Sequence, residues 1–204
     1  MKNLRVSRRQ ILKAIGATAA LGTVLGPEAV LADDEENGKV SWDLINLNFT
    51  NGHVTAGGHA SAFANDDSKI TITGSGTFRA NSGNPEDVTG GGTWETSGGT
   101  VAAGSGTYRV TKLVTFTPAP GTPPPIVDLI GPGPGHAGLA TLRVRFSNGK
   151  DGVLNVSCSL VGTPHSVFEG ITASMGFSDF WNREKPAAGV NADRTIFHFL
   201  GEAS

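Results

Sequence analysis

From residue 39 onward, apolar and polar residues alternate along the chain in short runs. Leu142, Val144 and Phe146 are separated by single arginines, and Ile70 and Ile72 are separated by one threonine. Because successive side chains of a strand point to opposite faces, such runs place one set on a core and the other in water. A helical period is not found in this part of the chain. The sequence therefore predicts an all-β fold built from antiparallel sheet.

The alternating runs and the turns between them predict about eight to ten strands. A hairpin over residues 139–161 is the clearest, because Ser-Asn-Gly-Lys-Asp-Gly at 147–152 supplies turn residues between two runs. Short strands in hairpin order favour a single antiparallel up-and-down β-barrel, which leaves no exposed edges; a two-layer β-sandwich is the alternative. The predicted strands lie near residues 40–49, 53–63, 68–79, 88–96, 104–117, 139–147, 152–161, 166–180 and 194–200.

A Gly-x-Gly-Thr-aromatic pattern occurs at residues 74–78, 90–94 and 104–108. Glycines permit a bulge or a sharp coiling of a strand, and we expect the aromatic residue of each repeat to cap the exposed pleat. Chance in a chain with 29 glycines is the alternative. Phosphate-binding loops look similar, but a helix begins after their glycines, whereas a strand follows here. Phosphate binding is therefore excluded.

Residues 118–138 interrupt the alternation with prolines among glycines, which indicates a long connection with polyproline character. Within it, Ile126, Val127, Leu129 and Ile130 are apolar. A solvated loop has no need of such a cluster, so we expect this segment to pack on the domain, over one mouth of the barrel. A packed loop is favoured over a functional lid.

The first 32 residues have the three parts of a removable export signal: a basic start, a weakly apolar core from about Ala14 to Leu25, and a small-residue exit at Ala32. The core is too short for a stable membrane span. We therefore divide the chain into a signal peptide at 1–32, an acidic disordered lead-in at 33–38 and a single β-domain at 39–204. An amphipathic first helix and a retained anchor are the alternatives.

The stretch Ser-Arg-Arg-Gln-Ile-Leu-Lys at residues 7–13 resembles the twin-arginine export signal, whose pattern is Ser-Arg-Arg-x-Phe-Leu-Lys. Ile11 stands where Phe is usual. The resemblance implies that the twin-arginine translocase recognises Arg8 and Arg9 and exports the folded protein. It further implies cleavage after Ala32 and a periplasmic or extracellular mature protein without a membrane anchor.

Composition limits the partners of the mature domain. Without residues 1–32, eleven Lys and Arg stand against seventeen Asp and Glu, and an acidic domain is poorly suited to nucleic acid. Cys158 is the one cysteine, so no internal disulfide can form, and its phase with Leu154 and Val156 predicts a buried thiol. None of the five histidines has metal-binding spacing to a second ligand. We expect no metal and no cofactor.

Charged residues in phase with apolar neighbours are the candidate site. Glu169 is in phase with Ile171, Lys112 is in phase with Val110, and Asp179 extends the Glu169 series. If those faces point inward, Glu169 and Lys112 lie in the barrel, where an unpaired charge is costly, and become the candidate ligand-binding residues. A strand end at the rim or an outward face is the alternative. No residue can be assigned a catalytic role.

The glycine-rich strand architecture resembles in texture the allene-oxide-cyclase and dirigent barrels, which shape a cavity around a hydrophobic substrate. No catalytic residue of those families can be placed on this sequence. We therefore predict an exported β-barrel that binds a small apolar ligand or has a structural or interaction role. The alternative is a cyclase- or dirigent-like enzyme in which Glu169 and Lys112 polarise a hydrophobic substrate in the cavity. The non-enzymatic role is favoured.

Replacement of both Arg8 and Arg9 by Lys keeps the charge of the signal and removes the arginine pair. We expect export of the double variant to stop, with the unprocessed chain retained in the cytoplasm, as measured by fractionation and immunoblotting. Replacement of Lys2 and Arg5 by Gln is the control and should leave export working. Undiminished export of the Lys-Lys variant would contradict the routing.

Overall fold

The computed structural model describes residues 38–80, 82, 84, 87–186 and 193–201. The predictions for residues 1–32 and 33–37 lie outside these residues. Strands and the turns between them make up the described part, and no helix in it is long and apolar enough to cross a membrane. The strands are β1 Lys39–Asn48, β2 His53–Ala56, β3 His59–Phe63, β4 Lys69–Thr73, β5 Ser75–Arg79, β6 Val88–Ser97, β7 Gly104–Ala119, β8 Val127–Asp128, β9 Ala137–Phe146, β10 Asp151–Cys158, β11 Gly170–Met175, β12 Ser178–Phe180, β13 Asn182–Arg183 and β14 Arg194–Leu200.

These strands form one large, mostly antiparallel sheet, so the predicted all-β fold is confirmed. The main path of hydrogen-bonded neighbours runs β12–β11–β10–β9–β7–β6–β5–β1–β2–β8, and these pairings do not close into a barrel. Off this path, β14 pairs with β1, β4 pairs with β6 and β3, and β13 pairs with β3. Strand β8 runs parallel to β2.

Glycines divide three of the predicted strands into two. The run 53–63 is β2 and β3, separated at Gly57 and Gly58, and the run 68–79 is β4 and β5, separated at Gly74. The run 166–180 holds β11 and β12 with a turn at Gly176 between them. A residue without a side chain lets the chain bend away from a regular ladder, so alternation continues in sequence where the strand does not. The short strands β8 and β13 were not predicted.

The inward-facing side chains form one main core, as the alternation predicts. Leu142, Leu154 and Val156 are fully buried, and so is the thiol of Cys158, whose burial was predicted. Burial raises the pKa of this thiol well above its usual value, which makes it a poor nucleophile. The interior is filled with large side chains, of which the biggest fully buried ones are Trp42, Phe78, Phe146, Phe180 and Phe197.

The three glycine repeats lie side by side on β5, β6 and β7. Their aromatic residues Phe78, Trp94 and Tyr108 are buried in the main core, so the expectation that they cap an exposed pleat is wrong. The two polar rings find partners where they are buried. Trp94 Nε1 donates a hydrogen bond to the carbonyl of Thr107 at 3.1 Å, and the Tyr108 hydroxyl donates one to the carbonyl of Thr73 at 3.0 Å.

Strand β6 changes partner where its glycines meet the break between β4 and β5. Gly91 pairs with Ser75 of β5, whereas Trp94 pairs with Ile72 of β4. Between them, a Cβ atom added to Gly92 would lie 2.0 Å from the carbonyl oxygen of Thr73. No side chain fits at that distance, so the approach of the two backbones requires glycine at this position.

We expect Gly92→Ala to destabilise the protein by at least about 2 kcal/mol, because the new methyl group meets backbone that cannot move aside. Gly104→Ala is the matched control. It lies in the neighbouring repeat, and its Cβ would be 3.4 Å from the ring of Trp94, an ordinary contact. Urea unfolding of both variants measures the difference, and equal stability of the two would contradict the close approach.

Candidate functional site

Strand β1 is buried on both of its faces. Trp42 and Leu44 point into the main core, whereas Ile45 and Leu47 point to the other side. There they pack with the side chains of neighbouring strands in a second, smaller cluster. This outer core consists of Ile45, Leu47, Val54 and Ile196.

The proline-rich loop, residues 120–136 between β7 and β9, covers the outer core. Backbone hydrogen bonds fasten it to the domain in three places. Thr122 N donates to the carbonyl of Val161 at 2.9 Å, Val127 N to Gly52 at 2.8 Å, and His136 N to Phe197 at 2.8 Å. The predicted packing of this segment on the domain is therefore confirmed, and the surface that it covers is the outer face of β1, β2 and β14.

The apolar residues of the loop divide between two environments. Ile126 and Ile130 pack against the outer core. Val127 and Leu129 point away and are 53% and 60% exposed. The loop therefore buries alternate residues, as a strand does, and β8 is the part of it that pairs with β2.

A buried side-chain pair sets the position of the loop. Asp128 Oδ2 lies 2.8 Å from Nε2 of His198, whose side chain has no exposed surface. A Cβ atom on Gly131 would lie 2.3 Å from Cγ of His198, so the loop backbone rests directly on the imidazole. Asp43 is also buried here, and burial raises its pKa to about 6 although His198 lowers it. The outer face of β1 and β14 thus holds an acidic pair around one histidine.

The loop cavity, of about 580 Å³, lies between this loop and the outer core. Its apolar wall comes from both sides and consists of Ile45, Leu47, Phe49, Val54, Pro123, Pro124, Ile126, Pro134, Leu160, Val161 and Ile196. A few polar side chains also line it, namely Asp128, Ser159, Glu169, Arg194 and Thr195. The arrangement is that of a small-molecule site, with much apolar surface and few polar groups.

Glu169 lies next to the start of β11 and is held by backbone amides. Ser159 N donates to its Oε2 at 2.6 Å, and Thr195 N donates to its Oε1 at 2.8 Å. Burial raises the pKa of Glu169 to about 7, against the two amide hydrogen bonds and the charge of Arg194, which lower it. The carboxyl group therefore exchanges its proton near neutral pH and can donate or accept a hydrogen bond in the cavity.

Arg194 is the cation of the site. Its guanidinium lies over the ring of Phe49, with Cζ 5.8 Å from the ring centroid. Its Nε is buried and has no hydrogen-bond partner among the described residues. A buried donor without a partner is costly. A ligand that offers an acceptor to this group would remove the cost.

The structure places one of the two predicted ligand-binding residues at the cavity. Glu169 is buried and lines it. Lys112 is exposed and does not line it, because β7 is irregular on both sides of this residue: the register shifts between Val110 and Lys112 and again between Leu113 and Thr115. The shifts turn Lys112 outward and Leu113 inward. Lys112 therefore follows the alternative of an outward face.

Asp179 does not continue the series of Glu169. The turn at Gly176 ends β11, and Asp179 lies exposed on β12.

Three residues of the site were not predicted from the sequence, namely Arg194, Asp128 and His198. Arg194 and His198 are in phase with Ile196 on β14, so the alternation contained a signal for them. That β14 is covered on both faces was not visible in its sequence.

Among the described residues, no group of three or more His, Cys, Asp or Glu could hold a metal ion. Comparison of the chain with protein-family models, with characterised proteins and with solved structures finds no match.

The raised pKa of Glu169 predicts a pH-dependent stability. The pKa of Glu169 is about 7 in the folded state and has its ordinary value of 4.5 in the unfolded state. Between these two pH values the folded state binds a proton that the unfolded state has lost. The protein is therefore most stable below this pH range, and its stability falls as the pH rises through it. The full shift corresponds to about 3 kcal/mol. Asp43, raised from 3.8 to about 6, acts in the same direction at lower pH.

We expect Glu169→Gln to lose the fall in stability between about pH 6 and pH 7 and to keep the part at lower pH that belongs to Asp43. Urea unfolding across this range measures both slopes. Glu95→Gln, at an exposed position of β6, is the control and should retain the wild-type profile. A Glu169→Gln variant with the wild-type slope near pH 7 would show that this carboxyl group does not titrate there.

Proposed function

We propose that the protein binds a small, mainly apolar molecule in the loop cavity. The observation that carries this proposal is an apolar cavity of about 580 Å³ with a buried carboxyl group and an unpartnered guanidinium nitrogen in its wall. Ligand sites commonly have volumes of about 300–1,000 Å³ with a few placed polar groups. The main core is filled with side chains, so the ligand lies outside it, beneath the loop.

The lining suggests how the ligand lies. Its apolar part packs between Ile126 of the loop and Ile45 and Ile196 of the sheet. Its polar end lies against Glu169 and Arg194, where a hydrogen-bond acceptor satisfies the arginine Nε. Burial of the apolar part supplies affinity, at roughly 25 cal/mol per Å² removed from water, and the polar pair sets orientation.

We propose a barrel-like curvature for the sheet in preference to two packed layers. Strands that lie far apart along the main path contribute to one main core, which includes Phe180 of the terminal strand β12 and Val40 of β1, seven strands further along the path. In addition, β11 lies against β3 and β13, as it would in a sheet that curls around its core. An experimental structure with two separate sheets packed face to face would contradict this proposal.

We also propose that the twin-arginine translocase exports the protein through recognition of Arg8 and Arg9. The mature domain then acts in the periplasm or outside the cell, after cleavage behind Ala32. The motif at residues 7–13 supports this route. A domain that has folded around its ligand before export is compatible with it.

A second function is favoured by one observation. Glu169 has a pKa of about 7 and lines an apolar cavity, as a general acid or base for a hydrophobic substrate requires. A cyclase- or dirigent-like enzyme would use it to move a proton within the bound substrate. Chemical change of a retained ligand that stops in Glu169→Gln distinguishes this function from binding alone.

Ile126→Trp tests the binding site, because the larger side chain occupies the cavity. We expect it to weaken binding of the neutral fluorophore N-phenyl-1-naphthylamine at least about tenfold. Val127→Trp is the matched control: it is the next residue of the same loop, is exposed and does not line the cavity. Fluorescence titration measures both variants, with thermal unfolding to verify that each is folded.

Binding of the fluorophore that is equal in Ile126→Trp and Val127→Trp would contradict the cavity as its site. A wild-type protein that does not bind the fluorophore at all would favour the structural or interaction role instead.

A further inference from the structure

A second groove, of about 800 Å³, lies along β11 and β12 and shares no lining residue with the loop cavity. Two large aromatic side chains border it. Phe177, in the turn between the two strands, is fully exposed at 108%, and Trp181, directly after β12, is 59% exposed. Single exposed apolar residues are ordinary, but two aromatic rings at one groove form a patch without a packing role in the domain.

Hydrogen-bonding side chains of three neighbouring strands also line the groove. Asn155 of β10 is opposite Thr172 of β11, and Ser174 of β11 is opposite Asp179 of β12. Asn155 Nδ2 donates to Thr172 Oγ1 at 2.9 Å. This bond fixes the amide group and leaves its second N–H for a ligand.

Hydrogen bonds also fix Asp66, another residue of the lining. Asp66 accepts hydrogen bonds from the backbone amides of Ser68 at 3.1 Å and Thr100 at 2.8 Å. These bonds join the β3–β4 turn to the β6–β7 connection. Hydrogen bonds therefore hold polar side chains of the lining both on the strands and in the turns.

The charges of the groove lining limit which classes of ligand can bind there. Within the described residues, the charged side chains of the lining are Asp66 and Asp179, and neither Lys nor Arg lines the groove. Anionic ligands such as phosphates or uronic acids would be repelled. A purely apolar ligand would leave the amide and hydroxyl groups without partners. The lining suits a neutral molecule that has hydroxyl groups together with a flat apolar face.

We propose that this groove binds a neutral oligosaccharide. The apolar C–H face of a sugar ring stacks on Trp181 or Phe177, the usual way in which an aromatic ring offers a large, rigid contact surface. The sugar hydroxyls exchange hydrogen bonds with the amide of Asn155 and the carboxylate of Asp179. Two rings at one groove provide two stacking positions, which favours an oligosaccharide over a single sugar. This site is independent of the loop cavity and of its ligand.

Tryptophan fluorescence tests this binding in the wild-type protein. The chain has three tryptophans, and Trp42 and Trp94 are 0% and 5% exposed, so quenching by acrylamide reports mainly on Trp181 at 59%. We expect at least one of cellotetraose, chitotetraose, maltotetraose and mannotetraose to protect Trp181, with a dissociation constant of about 1 mM or tighter. The anionic tetragalacturonate should protect it less.

Two variants locate the site. Phe177→Ala and Trp181→Ala should each weaken binding of the active tetrasaccharide about tenfold or more, as measured by calorimetry, because each removes a stacking surface. Both residues are exposed, so the unfolding temperature should change little. Phe49→Ala is the matched control, since Phe49 is 51% exposed but lines the loop cavity instead, and it should bind the saccharide as the wild type does.

Three results would overturn the proposal. The first is that no neutral tetrasaccharide protects Trp181 or binds by calorimetry. The second is binding that is unchanged in Phe177→Ala and Trp181→Ala, or stronger for tetragalacturonate. The third is protection that rises with protein concentration without saccharide, which would make a second copy of the chain the occupant of the groove.

Discussion

Burial of β1 on both faces is the constraint on which the other features depend. Val40, Trp42 and Leu44 enter the main core, and Ile45 and Leu47 enter the outer core. A sheet face with apolar residues must be covered. The proline-rich loop covers it. A loop packs less completely than a strand or a helix, and the space that remains is the loop cavity.

The relative size of the interactions explains how the loop is held. Burial of an isoleucine side chain contributes about 1.5–3 kcal/mol, and the loop places Ile126 and Ile130 on the outer core. The Asp128–His198 hydrogen bond adds direction more than stability, since the net gain of such a bond is only about 0.5–1.5 kcal/mol. Burial of these two isoleucines therefore holds the loop on the sheet. The Asp128–His198 pair determines where along the sheet the loop lies. The same burial removes Glu169 from water and raises its pKa to about 7.

The period-two pattern was sufficient to predict the all-β class, the hairpin over 139–161 and the buried Cys158. For Glu169 it left an inward face and a strand end or outward face open, and the structure shows the residue buried. It failed where the backbone departs from a regular ladder. The register shifts around Lys112 turn its side chain outward although its sequence phase is inward, and glycine breaks divided three predicted strands. The pattern also assigns only one face of each strand to a core. The partners of Glu169 therefore remained hidden, because Ser159 follows β10 whereas Thr195 and Arg194 lie on β14. Their approach to Glu169 depends on tertiary packing, which the alternation does not contain.

Hydrogen exchange of the loop amides tests the central claim, that the loop is fastened across the outer face of β1. The amides of Val127, Leu129 and His136 donate to Gly52, Val54 and Phe197. We expect these amides to exchange at least about 100-fold more slowly than in an unstructured peptide, and still more slowly when an apolar ligand is bound. Exchange at the unstructured rate, with amides of the main sheet still protected, would mean that the loop does not cover the sheet, and the cavity would not exist.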